Sequence, residues 1–260
     1  MRAAPAPWTD HLAGARSSTW PATLPGPADL GSTCCSPGDE RTGAKRPDVT
    51  DNAYGDDIYT EPDADTDTLT NLGPLTPMAG VWEGLRGADE HPEADGTGRD
   101  AFVERYELMP IDPQTNGPQL LYGLRYHTHI TKPGEVEMFH DQVGYWLWEP
   151  TTGTVTLTLG IPRGQVLLAG GQVEPGATDF EVRAAVGSEV YGILSNPFLD
   201  ANFRTLSYRM HVTVHADGTW SYEEEGVLVI PGRGEPFPHT DRNTLVRVAP
   251  PTPNPLAAQG

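Results

Sequence analysis

The sequence predicts an all-β fold, a closed antiparallel β-barrel of about ten strands, for the central part of the chain. Apolar residues there recur with a period of two, as in Val155, Leu157 and Leu159, which alternate with threonines. Turn-forming pairs such as Asp217-Gly218 separate short runs of this kind, whereas no helical pattern of even three turns occurs. Closure of the sheet removes its exposed edges, and a barrel of this size is wide enough to hold one ligand.

The chain divides into three segments by composition. Residues 1–68 are rich in turn formers and include an acidic run from Asp56 through Asp67, so we expect a disordered acidic extension that cannot bury enough apolar surface to fold. Residues 69–249 carry the strand-like patterns and form the predicted barrel domain. Residues 250–260 are a Pro-rich tail. Because proline cannot continue a strand, we expect the barrel to end before this segment.

Charge and composition exclude several classes of partner. The 36 Asp and Glu residues outnumber the 17 Lys and Arg residues, and the formal net charge of −19 repels phosphate backbones and anionic lipid headgroups. We therefore expect no nucleic-acid or membrane partner.

The sequence also bears on localisation. Apolar runs fall well short of the ~20 residues that cross a bilayer, and Pro5 and Asp10 interrupt the apolar stretch that a signal peptide needs, so we expect a cytoplasmic protein. Cys34 and Cys35 are adjacent and are expected to be free thiols.

Histidine placement is the main chemical signal, because the motifs of serine hydrolases, phosphate-binding loops, dinucleotide sites and zinc proteases do not occur. His127 and His129 stand two apart on a predicted strand, so both face the same way and could chelate a metal. With His239 and Asn243 they resemble the two motifs of cupins, which would make the protein a non-haem metalloenzyme. The alternative is that His127 and His129 lie on a solvated strand face.

Two further histidines differ in what their positions imply. His140 precedes Asp141, but neighbouring strand residues point to opposite faces, so we expect no pairing between them. His239 follows a Pro-Phe-Pro turn and comes before the last predicted strand, residues 244–248. That position is near a barrel mouth, where a loop can direct an imidazole toward a ligand.

The segment around Trp82 connects these features to a known family. Gly80-Val81-Trp82 near the first strand, with Arg247 near the last, is typical of lipocalin and fatty-acid-binding barrels, in which the guanidinium packs on the indole and seals the barrel base. The wider sequence resembles the nitrobindin family of haem-binding barrels over about residues 69–248. The motifs that carry the resemblance are Leu72-Gly73-Pro74-Leu75, Met78 to Gly84, Phe139-His140-Asp141, Gly144-Tyr145, Ile161-Pro162-Arg163-Gly164, His239, Leu245 and Arg247.

The resemblance implies a barrel that holds ferric haem b. It makes His239 the proximal iron ligand, with Asp241 close enough to fix the other ring nitrogen. It also implies Trp82, Tyr145 and His91 as cofactor-binding residues. Family members bind nitric oxide and are credited with isomerising peroxynitrite to nitrate. Haem and a small diatomic or peroxynitrite-type ligand are therefore the expected partners.

The sequence departs from the family after Trp82. The family continues with a glycine-rich turn into a Tyr-Pro-Thr-like segment on the distal haem face, whereas here a longer acidic insertion, residues 88–99, carries His91 only loosely in register. We therefore expect a remodelled or open distal wall. The main alternative is a carrier of a fatty acid or another apolar ligand in the same barrel, with His239 unliganded. On a strand, Tyr145 points to one face, and Trp146 and Trp148 point to the other. Whichever of these two sets points inward could stack on a porphyrin.

Overall fold

The structure is a computed structural model that describes residues 53–253. Most of the predicted extension, with Cys34 and Cys35, and the end of the Pro-rich tail lie outside these residues. The elements of the described part are β1 (Gly80–Glu93), β2 (Gly96–Pro110), β3 (Gln114–Asn116), β4 (Gln119–Thr131), β5 (Met138–Glu149), β6 (Thr154–Ile161), β7 (Gln165–Gln172), β8 (Asp179–Val186), β9 (Gly192–Ser195), β10 (Arg204–Val214), β11 (Trp220–Val229), β12 (Phe237–Ala249), α1 (Thr68–Asn71), α2 (Pro197–Asn202) and a 3₁₀ helix (Gly73–Met78).

The predicted closed antiparallel barrel is confirmed. Its ring runs β1-β2-β4-β5-β6-β7-β8-β10-β11-β12, and β12 pairs back onto β1. Every neighbouring pair in this ring is antiparallel. The short strand β3 adds to the edge of β4, and β9 lies beside β7 and β8, parallel to the latter. Ten strands thus close the ring, and two short strands are appended to it.

The alternation in the sequence explains which faces point inward. Val155, Leu157 and Leu159 of β6 are buried, and the residues between them are more exposed. The hairpin predicted at Asp217-Gly218 joins β10 to β11, and Gly218 adopts a φ of +84°, in the left-handed region that glycine tolerates. Period-two patterning and turn chemistry therefore account for this part of the barrel.

One end of the barrel is closed by the 3₁₀ helix. The indole Nε1 of Trp82 donates a 2.7 Å hydrogen bond to the carbonyl of Met78. The guanidinium of Arg247 lies 4.6 Å from the centroid of the Trp82 ring and donates a 2.6 Å hydrogen bond to the carbonyl of Pro77. This contact confirms the seal predicted from Trp82 and Arg247.

A layer of aromatic side chains fills the interior next to the closed end. Trp82 and Tyr106 both meet Trp220 edge to face, with centroid separations of 6.1 and 5.4 Å. Trp146 is also fully buried and donates its Nε1 hydrogen to the Tyr106 hydroxyl at 3.2 Å. Edge-to-face pairs of this kind add to the stabilisation that burial provides.

The residues that come before the barrel and are described lie against β3. The Thr115 hydroxyl donates a 2.9 Å hydrogen bond to Glu61, and a Cβ on Gly117 would come within 2.0 Å of the Ile58 carbonyl oxygen. The hydroxyl of Thr68 donates to the carbonyl of Ile111 at 2.7 Å. Among residues 53–253, the helices are all too short or too polar to span a membrane.

Candidate functional site

A cavity of about 490 Å³ occupies the end of the barrel away from the 3₁₀ helix. The start of β1 and the end of β12 form the closed end with Trp82 and Arg247, whereas the other ends of these two strands reach the cavity. The volume is in the range of small-molecule binding sites. Apolar side chains form much of the wall, including Phe102, Ile130, Leu159, Ile161, Leu167 and Met210, and Phe198 and Leu199 of α2 lie at its edge.

A β-bulge in β1 turns two polar side chains into this cavity. Gly84 pairs with Glu104 and Gly87 with Phe102, so Leu85 and Arg86 together oppose a single residue of β2. Because of the extra residue, inward-facing residues have even numbers before the bulge and odd numbers after it. Even-numbered residues such as Trp82 point inward before the bulge, and Asp89 and His91 point inward after it.

The acidic insertion predicted at residues 88–99 is regular strand structure. These residues complete β1 and begin β2, and they stay in antiparallel register from Ala88 opposite Ala101 to Glu93 opposite Gly96. The segment is therefore a long hairpin, which delivers Asp89 and His91 to the cavity. The charged residues of this segment belong to a strand with one face toward solvent and the other toward the cavity.

His239 lines the cavity, as expected, but from within β12 rather than from the turn before the last strand. Its Nε2 lies 2.9 Å from Oδ1 of Asp89 and 3.6 Å from Oδ2 of Asp241, and 35% of the side chain is exposed. The other oxygen of Asp89 lies 2.8 Å from Nδ1 of His91. The buried carboxylate of Asp89 thus bridges two imidazoles.

This bridge sets the charge of the groups around it. Burial alone would lower the pKa of His239, but the hydrogen bond to Asp89 and the negative charges of Asp241, Asp89 and Glu224 outweigh it and raise the pKa above its usual value. Burial opposes ionisation of Asp89 as well, yet the contacts with His239 and His91 leave its pKa below the usual value. The pair formed by Asp89 and His239 therefore favours the ionised state of both groups.

Other carboxyl groups in the cavity behave in the opposite way. Burial raises the pKa of Glu104 to about 7, although its Oε2 accepts hydrogen bonds from the Tyr222 hydroxyl at 2.9 Å and from the Asn243 amide at 3.1 Å. Enclosure in the barrel likewise raises the pKa of Glu224 to about 7, and burial beside Glu224 raises that of Asp241. These groups gain or lose protons near neutral pH, which is characteristic of functional sites.

His140 is a cavity residue that the sequence analysis did not assign to the site. It projects from β5 into the cavity, and its Nε2 lies 3.3 Å from Oε1 of Gln142. Burial lowers its pKa, so the neutral ring is favoured. Asp141 points to the opposite face, as expected, and contacts His127 on the outside of the barrel. The alternation of faces along β5 could have identified His140, since it lies on the same strand face as Trp146, an aromatic residue suited to the core.

Two residues assigned to the cofactor site lie away from the cavity wall. Trp82 is at the closed end, under Arg247. Tyr145 keeps 41% of its surface exposed on the outer face of β5, because the neighbouring Trp146 takes the inward position. His127 and His129 are also on the outer face, so the structure does not bring them together with His239 as a cupin-like centre requires.

The family profile of the THAP4-like, haem-binding β-barrel domain matches residues 71–247. The chain belongs to this family. The match confirms the resemblance to nitrobindins. It covers the whole barrel apart from the last two residues of β12. The crystal structure of Rv2717c from M. tuberculosis shares the fold, with a TM-score of 0.50 and 20% sequence identity over 70% of this chain and 97% of that chain. No curated protein sequence matches the chain significantly.

Proposed function

We propose that the cavity of this family member binds haem b and that His239 supplies the axial imidazole. The observation that carries the proposal is an imidazole facing a cavity of about 490 Å³ in a barrel of a haem-binding family. A neutral imidazole is the commonest protein ligand of haem iron in the globins and peroxidases. The position of His239 within strand β12 supports the same role, because a strand holds a ligand more rigidly than a loop does.

The donor set of the cavity fits haem. Three imidazoles, those of His91, His140 and His239, face an interior whose walls are largely apolar and suited to a porphyrin ring. Arg163 is the one Lys or Arg residue among those that line the cavity, and its exposed position suits a propionate at the rim. When bound, haem would supply an iron centre that takes small ligands such as nitric oxide.

His239 has to meet two conditions before it can bind a metal. The ring must be neutral, because a protonated imidazole has no free lone pair. Its Nε2 must also exchange Asp89 for the metal if that nitrogen is the ligand. Asp89 would retain its contact with His91, and nearby carboxylates would keep negative charge beside the ring. Negative charge next to an axial imidazole raises the basicity of the ligand and favours the ferric state.

The finer part of the proposal concerns nitric oxide and peroxynitrite. The neutral ring of His140 gives the cavity a second imidazole, on a strand different from that of His239, which can accept a proton at Nδ1 while Nε2 contacts Gln142. We expect the haem-loaded protein to bind nitric oxide and to convert peroxynitrite to nitrate faster than free haemin does. Stopped-flow decay of peroxynitrite with nitrate analysis tests this; a rate equal to that of free haemin would leave only haem binding.

A carrier of fatty acids is the second candidate, favoured by the apolar walls of the cavity. The charges oppose it. Four carboxyl groups face the cavity, those of Asp89, Glu104, Glu224 and Asp241. An anionic headgroup would therefore meet negative charge over much of the wall, whereas Arg163 and the His239 ring, when protonated, would attract it. Haem, with a cationic ferric centre and propionates that can remain at the rim, suits this distribution better.

A competition experiment separates the two candidates. The full chain is titrated with haemin while the Soret absorbance is followed, and separately with a fluorescent long-chain fatty acid. We expect a saturable Soret shift with one haem per chain, and weak fatty-acid binding that haemin displaces. Tight fatty-acid binding together with a haemin spectrum identical to that of free haemin would overturn the proposal.

A further inference from the structure

A cluster of three metal-ligating side chains lies on the outer surface of the barrel, on β4 and β5. His127 Nε2 is 2.7 Å from Oδ2 of Asp141, and His129 Nδ1 is 3.9 Å from the same oxygen. One ligand atom from each of the three residues lies within 4.8 Å of the other two. All three are partly or largely exposed, so a cation can reach them from solvent.

The cluster is separate from the cavity. Along β4, Tyr126 and Thr128 point into the barrel, and His127 and His129 therefore point out. On β5, His140 faces the cavity and Asp141 faces out. A metal held here would lie on the opposite side of the sheet from the proposed haem.

We propose that His127, His129 and Asp141 form a surface site for a borderline divalent cation such as Zn²⁺. Two imidazoles and a carboxylate are a frequent ligand set for such ions, and catalytic zinc sites use three protein ligands with one open position. With metal–ligand distances of about 2.0–2.2 Å, tetrahedral ligand atoms lie about 3.3–3.6 Å apart. The observed separations of 2.7 and 3.9 Å bracket that value, so small rotations of the side chains suffice.

The backbone register supports this geometry. His129 stands directly opposite Asp141 in the antiparallel pairing of β4 and β5, so the site does not depend on a loop. On the other side, Glu107 of β2 stands opposite His127, and Arg105 stands opposite His129. Glu107 is paired with Arg105 at 2.9 Å, so a carboxylate and a guanidinium border the cluster on this side. The net charge of −19 attracts any cation to the protein.

The test is a calorimetric titration of the haem-free full chain with Zn²⁺ near pH 7.5, with Co²⁺ as a spectroscopic probe of coordination. We expect one saturable site that His127→Ala, His129→Ala and Asp141→Asn each weaken by more than about tenfold, since loss of even an outer-shell partner costs that much. His211→Ala is the matched control. His211 forms a similar exposed pair with Asp179 at 2.9 Å, but Thr213 occupies the place of the second histidine.

His239→Ala separates this site from the cavity, where Asp89, His239 and Asp241 also cluster. We expect zinc binding to persist in His239→Ala, and thermal unfolding to verify that every variant is folded. The proposal is overturned if the wild-type chain shows no saturable binding, if His239→Ala abolishes it, or if His127→Ala binds as tightly as wild type. Haem binding by His127→Ala should equal that of wild type, so the outcome is independent of the proposed function.

Discussion

The two ends of the barrel interior are built on the same strands and have opposite chemistry. At the closed end, β1 and β12 contribute Trp82 and Leu245, which are fully buried among other apolar groups. At the cavity end the same strands contribute Asp89 and His239, which form an ion pair beside other carboxyl groups. The difference indicates that stability is concentrated at one end and ligand chemistry at the other.

The cavity end reduces the stability of the ligand-free protein. A buried carboxyl group must either lose part of its hydration or keep its proton, and Glu104 and Glu224 show this as a raised pKa. At the closed end, the polar atom of Trp82 and the guanidinium of Arg247 both donate to backbone carbonyls. The indole nitrogen of Trp220 is buried there without a hydrogen-bond partner among the described residues, but it carries no charge. Four predictions test whether this division is correct.

The largest effect is expected from Trp82→Ala at the closed end. Removing a fully buried indole costs about 3–5 kcal/mol of the free energy of unfolding, measured by urea denaturation. His140→Ala is the comparison at the cavity end. It should cost less than about 1 kcal/mol, because His140 borders an existing cavity and makes one long hydrogen bond. Equal losses would show that the two ends do not differ in their contribution to stability.

Glu104→Gln should stabilise the haem-free protein at high pH. The folded pKa of about 7 lies above the ordinary 4.5, so the folded state binds more protons between these values and stability falls as pH rises from 4.5 to 7. The amide cannot ionise, so at pH 8 the variant should gain on the order of 2–3 kcal/mol. Near pH 4, where the wild-type carboxyl is protonated in both states, the gain should vanish. A gain that is independent of pH would refute the ionisation mechanism.

Haem affinity should fall as pH falls through the raised pKa of His239, at a pH above the ordinary 6.5. Protonation removes the lone pair that binds iron, so binding is full above this pH and is lost below it. Asp89→Asn removes the negative charge that stabilises the imidazolium and should move the midpoint to lower pH. The measurement is the haem dissociation constant between pH 5.5 and 9. An unchanged midpoint in Asp89→Asn would mean that another group governs the pH dependence.

The smallest effect is expected from Arg247→Gln. It removes a partly exposed cation over the Trp82 ring and a hydrogen bond to Pro77, which together contribute about 1 kcal/mol. Chemical denaturation should show this loss, while the haem dissociation constant stays at the wild-type value. A weaker haem complex in Arg247→Gln would show that the closed end is coupled to the cavity.

Part of this architecture could be predicted from the sequence. The alternation of β6 and the turn at Gly218 predict strands and a hairpin because both signals are local. The contact between Trp82 and Arg247 was predicted from a family pattern. His239 and His91 were predicted for the site and line the cavity, but Asp89 was missed. The bulge at Leu85 and Arg86 changes which residues of β1 face inward, and nothing in the local sequence marks a one-residue shift of register.

The position of His140 shows a second limit. Parity on a strand tells which residues share a face, but only the known core residue Trp146 fixes that face as the inner one. The sequence left the face of Tyr145 open for the same reason, and the structure places it on the outer face. Burial of Glu104 and Glu224 depends on closure of the barrel by distant strands, which no local pattern encodes.

The most direct test of the account is to titrate His239→Ala and His140→Ala with haemin under identical conditions. Both imidazoles face the cavity, but we propose His239 of β12 as the iron ligand. We expect His239→Ala to lose the saturable Soret shift of the wild-type chain, whereas His140→Ala keeps the Soret position with at most a modest change in affinity. An unchanged spectrum in His239→Ala, or loss of the complex in His140→Ala alone, would contradict this proposal.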